Sequence, residues 1–116
     1  MEYQGSCHCG AVRFRFVGEK ITKGLRCNCS ICKQKGALMS PYTVSVEDIE
    51  ISVSNNALET YEFNSGVAKH QFCRQCGIYT FHQTFRQTGY YRINLGCLSD
   101  IDTFDLSYDV FDGAAL

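Results

Sequence analysis

The sequence predicts a mostly β fold made of short antiparallel strands and stabilised by metal. Three observations support this prediction. Apolar and polar residues alternate at a strand-like period in several segments, no amphipathic helix of three turns stands out, and seven of the eight cysteines fall into tight groups. The length of 116 residues and the lack of a low-complexity linker predict a single domain over residues 1–116.

The clearest strand pattern covers residues 11–16, where three apolar side chains alternate with two arginines. This period is typical of a strand with one buried face. Gly18 and Gly24 bracket a loop or short hairpin connection, and the single proline, Pro41, marks an edge or a turn.

The remaining elements follow from similar patterns. Residues 46–53 are predicted to begin as a helical turn around Glu47 and Asp48 and to continue as a strand from Ile49. Further strands are predicted over residues 58–63, 68–72, 79–82 and 90–95, with a turn at 64–66. The acidic tail from Asp102 onward carries no clear pattern.

Composition excludes several classes of function. Eleven Lys and Arg against twelve Asp and Glu give a net charge of −1, which argues against a phosphate-binding face and so against nucleic acid as a partner. The chain opens without a basic start leading into an apolar run, and no stretch approaches the ~20 apolar residues of a membrane span. We therefore expect no membrane insertion, no secretion, and a cytoplasmic location.

Cysteine spacing favours metal over disulfides. Cys73 and Cys76 lie three residues apart and are followed by a glycine, the arrangement of a zinc knuckle. Cys7 and Cys9 are also followed by a glycine, and residues two apart on an extended chain share a face. These two pairs are predicted to share one structural zinc that stabilises the fold.

Cys27, Cys29 and Cys32 form a third group, and no His, Asp or Glu lies between Gly24 and Tyr42 to complete a tetrahedron. Three thiolates make zinc a poor Lewis acid for activating water, but the ion can still bind an incoming thiol. The ligand set therefore favours a thiol substrate. The alternative is a second structural zinc, closed by Cys97.

Cys97 is the one isolated cysteine. It is a candidate for the missing fourth ligand, and it is also open to interpretation as a nucleophilic thiol or as a small buried residue. Three histidines and three cations give weaker signals, namely His8, His70, His82, Lys33, Lys35 and Arg92. We interpret the histidines as core or surface residues, with His8 facing away from the metal. The cations are interpreted as solvated side chains that could bind a substrate carboxylate.

The order of the motifs resembles a known family. The chain reads GSCHCGAVRF from Gly5, CNCSIC from Cys27, AKHQFCRQCGI from Ala68 and INLGCL from Ile93. Over about residues 5–100 this pattern resembles the glutathione-dependent formaldehyde-activating enzyme family, which shares its domain with centromere protein V.

The resemblance implies a β-tent domain with two zinc ions per chain. Carried over by motif, the structural zinc would be held by Cys7, Cys9, Cys73 and Cys76, and the catalytic zinc by Cys27, Cys29 and Cys32. The implied activity is that of a carbon–sulfur lyase, which joins glutathione and formaldehyde into S-(hydroxymethyl)glutathione. The implied partners are a small thiol and a small aldehyde. Two competing hypotheses remain, an interaction domain whose zincs are both structural and a redox role for Cys97. The sequence leaves the oligomeric state open.

Overall fold

The computed structural model describes residues 1–62, 68–84 and 89–115. The protein is mostly β: of the described residues, 44% lie in strands or β-bridges and 17% in helices. Within the described ranges the strands are β1 (Glu2–Ser6), β2 (Val12–Val17), β3 (Gly24–Cys27), β4 (Val44–Ser45), β5 (Ile49–Val53), β6 (Leu58–Tyr61), β7 (Lys69–Cys73), β8 (Tyr79–Gln83), β9 (Tyr90–Ile93) and β10 (Tyr108–Phe111). One α-helix, α1 (Ser30–Lys35), and four 3-10 helices (Val46–Asp48, Leu95–Cys97, Thr103–Asp105 and Gly113–Ala115) complete the described elements. No helix in these ranges is long and apolar enough to cross a membrane.

The strands form three sheets. A three-stranded antiparallel sheet has the order β1-β2-β5, and a five-stranded antiparallel sheet has the order β4-β9-β8-β7-β6. The third sheet pairs β3 with β10 in parallel. The prediction of a mostly β protein is confirmed, but the strands are not all antiparallel, because the tail returns beside β3 in the same direction.

Strand β2 follows its sequence pattern closely. Val12, Phe14 and Phe16 are buried, whereas Arg13 and Arg15 are exposed. On the outer face the Arg15 guanidinium contacts carboxylates of the two flanking strands, and such exposed pairs add little stability. Burial of the apolar face is therefore what places β2 in the centre of its sheet.

The core lies between the two larger sheets. The Phe14 ring of β2 meets the Phe81 ring of β8 edge to face, with 5.4 Å between centroids. Phe81 meets Tyr91 of β9 in the same way at 5.3 Å. Edge-to-face contacts suit the charge distribution of aromatic rings, so this row of rings fixes how the sheets pack.

Most predicted elements are present with shifted ends. The 3-10 turn over Val46–Asp48 followed by strand β5 is confirmed. Strand β6 ends at Tyr61, one residue before Glu62, which belongs to no strand. Phe63, the last residue of the predicted strand, lies outside the described residues together with the predicted turn at 64–66. The last predicted strand, 90–95, stops at Ile93 because Leu95 begins a 3-10 helix.

Several elements were not predicted, among them β1, β3, α1 and β10. Strand β1 buries only Tyr3 and strand β10 is exposed throughout, so neither shows a buried alternation. Helix α1 has six residues and contains no fully buried one, which leaves no helical period to detect. Three of them, β3, α1 and β10, surround Cys27, Cys29 and Cys32.

Candidate metal centres and the adjoining polar cluster

The first candidate metal centre consists of Cys7, Cys9, Cys73 and Cys76, whose sulfur atoms all lie within 4.8 Å of one another. The Cys7 and Cys9 sulfurs are 3.7 Å apart, as are those of Cys9 and Cys73. A zinc–sulfur distance of about 2.3 Å places tetrahedral sulfurs about 3.8 Å apart. A disulfide needs about 2.05 Å, so this donor set fits a tetrahedral thiolate metal site and not a pair of disulfides.

Tight turns present these sulfurs. Gly10 and Gly77 follow the two cysteine pairs with φ values of 82° and 80°, a region that suits glycine. The turns aim backbone amides at the sulfurs: the Val12 amide donates to Cys7 Sγ at 3.3 Å. The amide of Ile78 is the largest of several hydrogen-bonding contributions that lower the pKa of Cys76 to about 6. Amide donors favour the thiolate, which is the form that binds metal.

The first centre also joins two sheets. Cys7 directly follows β1 of the three-stranded sheet, and Cys73 ends β7 of the five-stranded sheet. Both are almost completely buried, at 1% and 0% exposure. A metal bound here would cross-link the two sides of the core.

The second candidate metal centre consists of Cys27, Cys29 and Cys32, whose sulfurs also lie within 4.8 Å of one another. Cys27 ends β3, Cys29 precedes the first residue of α1, and Cys32 lies within the helix. Burial raises the pKa of Cys29, but hydrogen bonds from the backbone amide and the thiol of Cys32 outweigh burial and lower it. Three partly buried thiols gathered in this way fit a soft metal such as zinc.

Cys97 does not join the second centre. Within the described residues no His, Cys, Asp or Glu side chain belongs to the group formed by Cys27, Cys29 and Cys32. The Cys97 thiol instead donates to the Tyr79 carbonyl oxygen at 3.6 Å. Burial, followed by the charges of Cys7 and Cys76, raises its pKa to about 12. Its position therefore does not support the fourth-ligand prediction, and its high pKa is unfavourable for a nucleophile.

A polar cluster lies beside the second centre. We call Lys35, His70, Tyr79 and His82 the Lys35 cluster. The Lys35 amine lies 3.1 Å from His70 Nδ1 and 3.7 Å from the centre of the Tyr79 ring. The Tyr79 hydroxyl shares a hydrogen bond with His82 Nδ1, and the rings of His70 and His82 are 5.4 Å apart.

This cluster corrects one sequence interpretation. His8 is exposed and His70 is buried, in line with the surface and core roles expected of histidines. Lys35, however, is not solvated as expected, since its amine is held between His70 and Tyr79. The sequence carried one usable signal: Lys35 lies one helical turn after Cys32, and on a helix that spacing places both on one side.

The electrostatics of the Lys35 cluster distinguish its members. Burial lowers the pKa of Lys35 to about 8, although the three nearby thiols act in the opposite direction. Burial, together with the Lys35 charge, lowers the pKa of His70 to about 4 and that of His82 to about 2. Burial raises the pKa of Tyr79. At neutral pH Lys35 is thus the cation of the cluster, and it donates to the neutral His70 ring because an ammonium has no acceptor.

The C-terminal segment, residues 102–115, covers one side of the second centre. Strand β10 pairs with β3 so that Phe111 lies opposite Cys27. The Asn28 side chain donates to Asp112 Oδ1 at 3.0 Å and accepts from the Ala114 amide at 2.9 Å. Gly113 lies so close to Cys27 that any side chain at position 113 would collide with the Cys27 sulfur.

An open groove of about 460 Å³ lies between the residues that follow α1 and the C-terminal segment. Arg26, the residue before Cys27, supplies the charged side chain of its lining, and its guanidinium lies 5.5 Å from the Tyr108 ring centre. Phe104 also lines the groove and is 96% exposed. The groove thus combines a cation with exposed aromatic surface close in sequence to the second centre.

Fold and site together define a small, mostly β protein with two separate cysteine clusters, each able to hold a metal ion. The family model described as "Glutathione-dependent formaldehyde-activating enzyme" matches residues 2–113. The chain therefore belongs to the glutathione-dependent formaldehyde-activating enzyme family.

Two relatives support this assignment. A Halomonas elongata protein named "Putative glutathione-dependent formaldehyde-activating enzyme" is 35% identical over 83 residues, which cover 66% of this chain and 52% of the relative. The chain thus spans about half the length of that curated relative. The crystal structure of a Rhodobacter sphaeroides protein is 33% identical with a TM-score of 0.79, and the match covers 91% of this chain and 99% of that one.

Proposed function

We propose that the protein is a zinc-dependent carbon–sulfur lyase of the S-(hydroxymethyl)glutathione synthase type. It joins a small thiol to a small aldehyde and catalyses the reverse reaction at the second centre. Family membership supports glutathione and formaldehyde as the substrates. The observation that carries the proposal is the group of three thiols at the second centre, which no further His, Cys, Asp or Glu of the described residues completes.

Each chain would hold two zinc ions. The first, at Cys7, Cys9, Cys73 and Cys76, has a complete set of protein ligands and is structural. The second would be held by Cys27, Cys29 and Cys32, and three protein ligands would leave one position for a ligand from outside the protein. When bound there, zinc would hold a substrate thiol in its thiolate form.

The chain's own residues would bind and orient the substrates. The groove of about 460 Å³ has room for a tripeptide thiol, and Arg26 offers a partner for one of its carboxylates. The substrate sulfur attacks the carbonyl carbon of the aldehyde, and the carbonyl oxygen then needs a proton. Holding both reactants in one site lowers the entropic cost of this addition.

The alternative is an interaction domain in which both metals are structural. One observation favours it: Gly113 and the C-terminal segment close the Cys27 side of the second centre. Under this alternative, glutathione would leave the second centre unchanged and the protein would not accelerate the reaction.

We further propose that residues 1–116 act as one functional domain in the cytoplasm, without a nucleic-acid partner. Eight free cysteines suit a reducing compartment. The net charge of −1 gives no electrostatic basis for binding nucleic acid.

Exchange NMR tests the proposed reaction. In a mixture of glutathione and carbon-13-labelled formaldehyde, it measures how fast the free aldehyde and the hydroxymethyl adduct interconvert. We expect the zinc-loaded protein to accelerate this interconversion, Cys32→Ser to abolish the acceleration, and Cys97→Ser to retain it. A wild-type rate equal to that of buffer alone would reject the enzyme and favour the interaction domain.

A further inference from the structure

We propose that Lys35 is a catalytic residue of this reaction, whose amine donates a hydrogen bond to the aldehyde oxygen and delivers the proton that completes the hydroxymethyl group. In the reverse direction the same amine removes that proton. This inference rests on the proposed function, since it needs the second centre to be the place of reaction.

The position of Lys35 supports this role. It lies one turn after Cys32 on α1, and its amine points towards β7 and β8, where it meets His70 and Tyr79. An ammonium group has three N–H donors, and one of them is used on His70 Nδ1 at 3.1 Å. Further donors are therefore available to an oxygen atom bound beside the second centre.

The surroundings fix this amine in place. The Tyr79 ring lies 3.7 Å from the ammonium nitrogen, a distance at which a cation is attracted to the ring face. His70 is neutral at neutral pH, so its Nδ1 accepts from Lys35 without competing for the positive charge. His70 and Tyr79 act on the reaction through Lys35 and are positioning residues.

Charged and titratable groups face Lys35 from several elements. They are Cys27 from β3, Cys29 and Cys32 at α1, His70 from β7, and Tyr79 and His82 from β8. Arg92 from β9 acts on the last two of these, Tyr79 and His82. Burial favours the neutral amine, whereas the thiols favour the ammonium. This balance keeps a transferable proton on Lys35 close to neutral pH.

Other members of the cluster are poorer donors. His70 and His82, with pKa values of about 4 and about 2, carry no extra proton at neutral pH. Burial raises the pKa of Tyr79, which makes its hydroxyl a weaker acid than free tyrosine. Lys35, with a pKa of about 8, has the value that suits a general acid and base near neutral pH.

The proposed step balances in atoms and electrons. The substrate thiol has given its proton to solvent, and its sulfur forms a bond to the carbonyl carbon. The electron pair of the C=O π bond moves to oxygen, which takes a proton from the Lys35 ammonium. The neutral amine then regains a proton from solvent. Nothing is oxidised or reduced, and the sum is thiol plus aldehyde giving the hydroxymethyl thioether.

Lys35→Met tests the inference, with Lys33→Met as the matched control, because Lys33 is an exposed lysine of the same helix. Exchange NMR should show a rate roughly 100-fold or more below wild type for Lys35→Met, as expected for a lost general acid, and a nearly unchanged rate for Lys33→Met. Lys35→Arg keeps the positive charge but cannot release a proton, so it should bind glutathione normally and still react slowly. If Lys35→Met does not fold, Lys35→Arg decides the question.

A second readout is independent of activity. NMR of carbon-13-labelled lysine, with the signal assigned by its loss in Lys35→Arg, should show the pKa of Lys35 near 8, well below the ordinary lysine value of 10.5. If the wild type is active and the rate of Lys35→Met or Lys35→Arg is within about threefold of the wild-type rate, the proposed role of Lys35 is wrong. The proposed function of the protein would then still stand. A wild-type protein without activity would overturn both this role and the proposed function.

Discussion

The Nζ atom of Lys35 lies 3.1 Å from Nδ1 of His70, and this hydrogen bond connects the two candidate metal centres. Lys35 ends the helix that carries Cys32, and His70 lies on the strand that ends at Cys73. The polar contact therefore holds the helix of the second centre against the strand of the first. Its loss should affect both the reaction and the stability of the fold.

The first prediction concerns the stability that His70 contributes. His70→Leu removes the acceptor and leaves the partly buried Lys35 amine without it, which should cost about 1–3 kcal/mol of unfolding free energy. His70→Gln offers a side-chain oxygen in its place and should recover part of this loss. Urea unfolding of the zinc-loaded proteins measures both. Equal stability of His70→Leu and wild type would show that this hydrogen bond is not important for the fold.

The second prediction concerns the acid side of the stability profile. The folded pKa of His70, about 4, lies below its ordinary value of 6.5, so the unfolded chain binds more protons between these limits. The contribution of His70 to the unfolding free energy is therefore fully present above pH 6.5 and is lost as the pH falls to about 4. The loss is at most about 1.4 kcal/mol per pH unit. Unfolding free energies measured across this window should fall less steeply in His70→Gln than in wild type. Parallel curves would contradict the neutral buried state of His70.

The third prediction separates the roles of the two metal centres. Cys73→Ser removes a completely buried ligand of the centre that joins the sheets, so cooperative thermal unfolding should be lost. Cys32→Ser changes a partly buried ligand of the second centre and should keep cooperative unfolding while it loses activity. Circular dichroism during heating, with zinc content measured on the same samples, makes the comparison. If Cys32→Ser lost cooperative unfolding and Cys73→Ser kept it, the second centre would be the structural one and the first the catalytic one.

The fourth prediction concerns the C-terminal segment. Gly113→Val places a side chain against the Cys27 sulfur, which should displace the segment and weaken metal binding at the second centre roughly tenfold, or about 1.4 kcal/mol. Ala114→Ser, at the exposed neighbouring position, should bind metal as wild type does. Competition with a chromophoric chelator gives the affinities. Unchanged affinity in Gly113→Val would mean that the segment moves away without consequence for the metal.

Local patterns in the sequence predict only part of the fold. The buried face of β2 follows from the alternation of Val12, Phe14 and Phe16, and the first centre follows from cysteine pairs on glycine turns. Both depend on residues close together in sequence. The burial of Lys35 depends instead on how α1 packs against β7 and β8, which its helical spacing from Cys32 does not reveal by itself.

The C-terminal segment escaped prediction for a similar reason. Strand β10 is exposed along its whole length, so its side chains show no alternation, and its place is set by backbone pairing with β3. The contact of Gly113 with Cys27 is likewise visible only once both segments are placed. Cys97 was a reasonable fourth ligand by composition, but its thiol bonds the Tyr79 carbonyl in the folded chain.

The central claim is that the second centre takes a substrate thiol as its missing ligand. Replacing zinc by cobalt gives each thiolate–metal bond a measurable absorption, so titration of the cobalt protein with glutathione tests this claim most directly. In wild type, saturating glutathione should raise the thiolate-to-cobalt absorption by the amount expected for about one additional sulfur ligand per chain. In Cys32→Ser, glutathione should leave this absorption unchanged. An unchanged spectrum in wild type at saturating glutathione would contradict the claim.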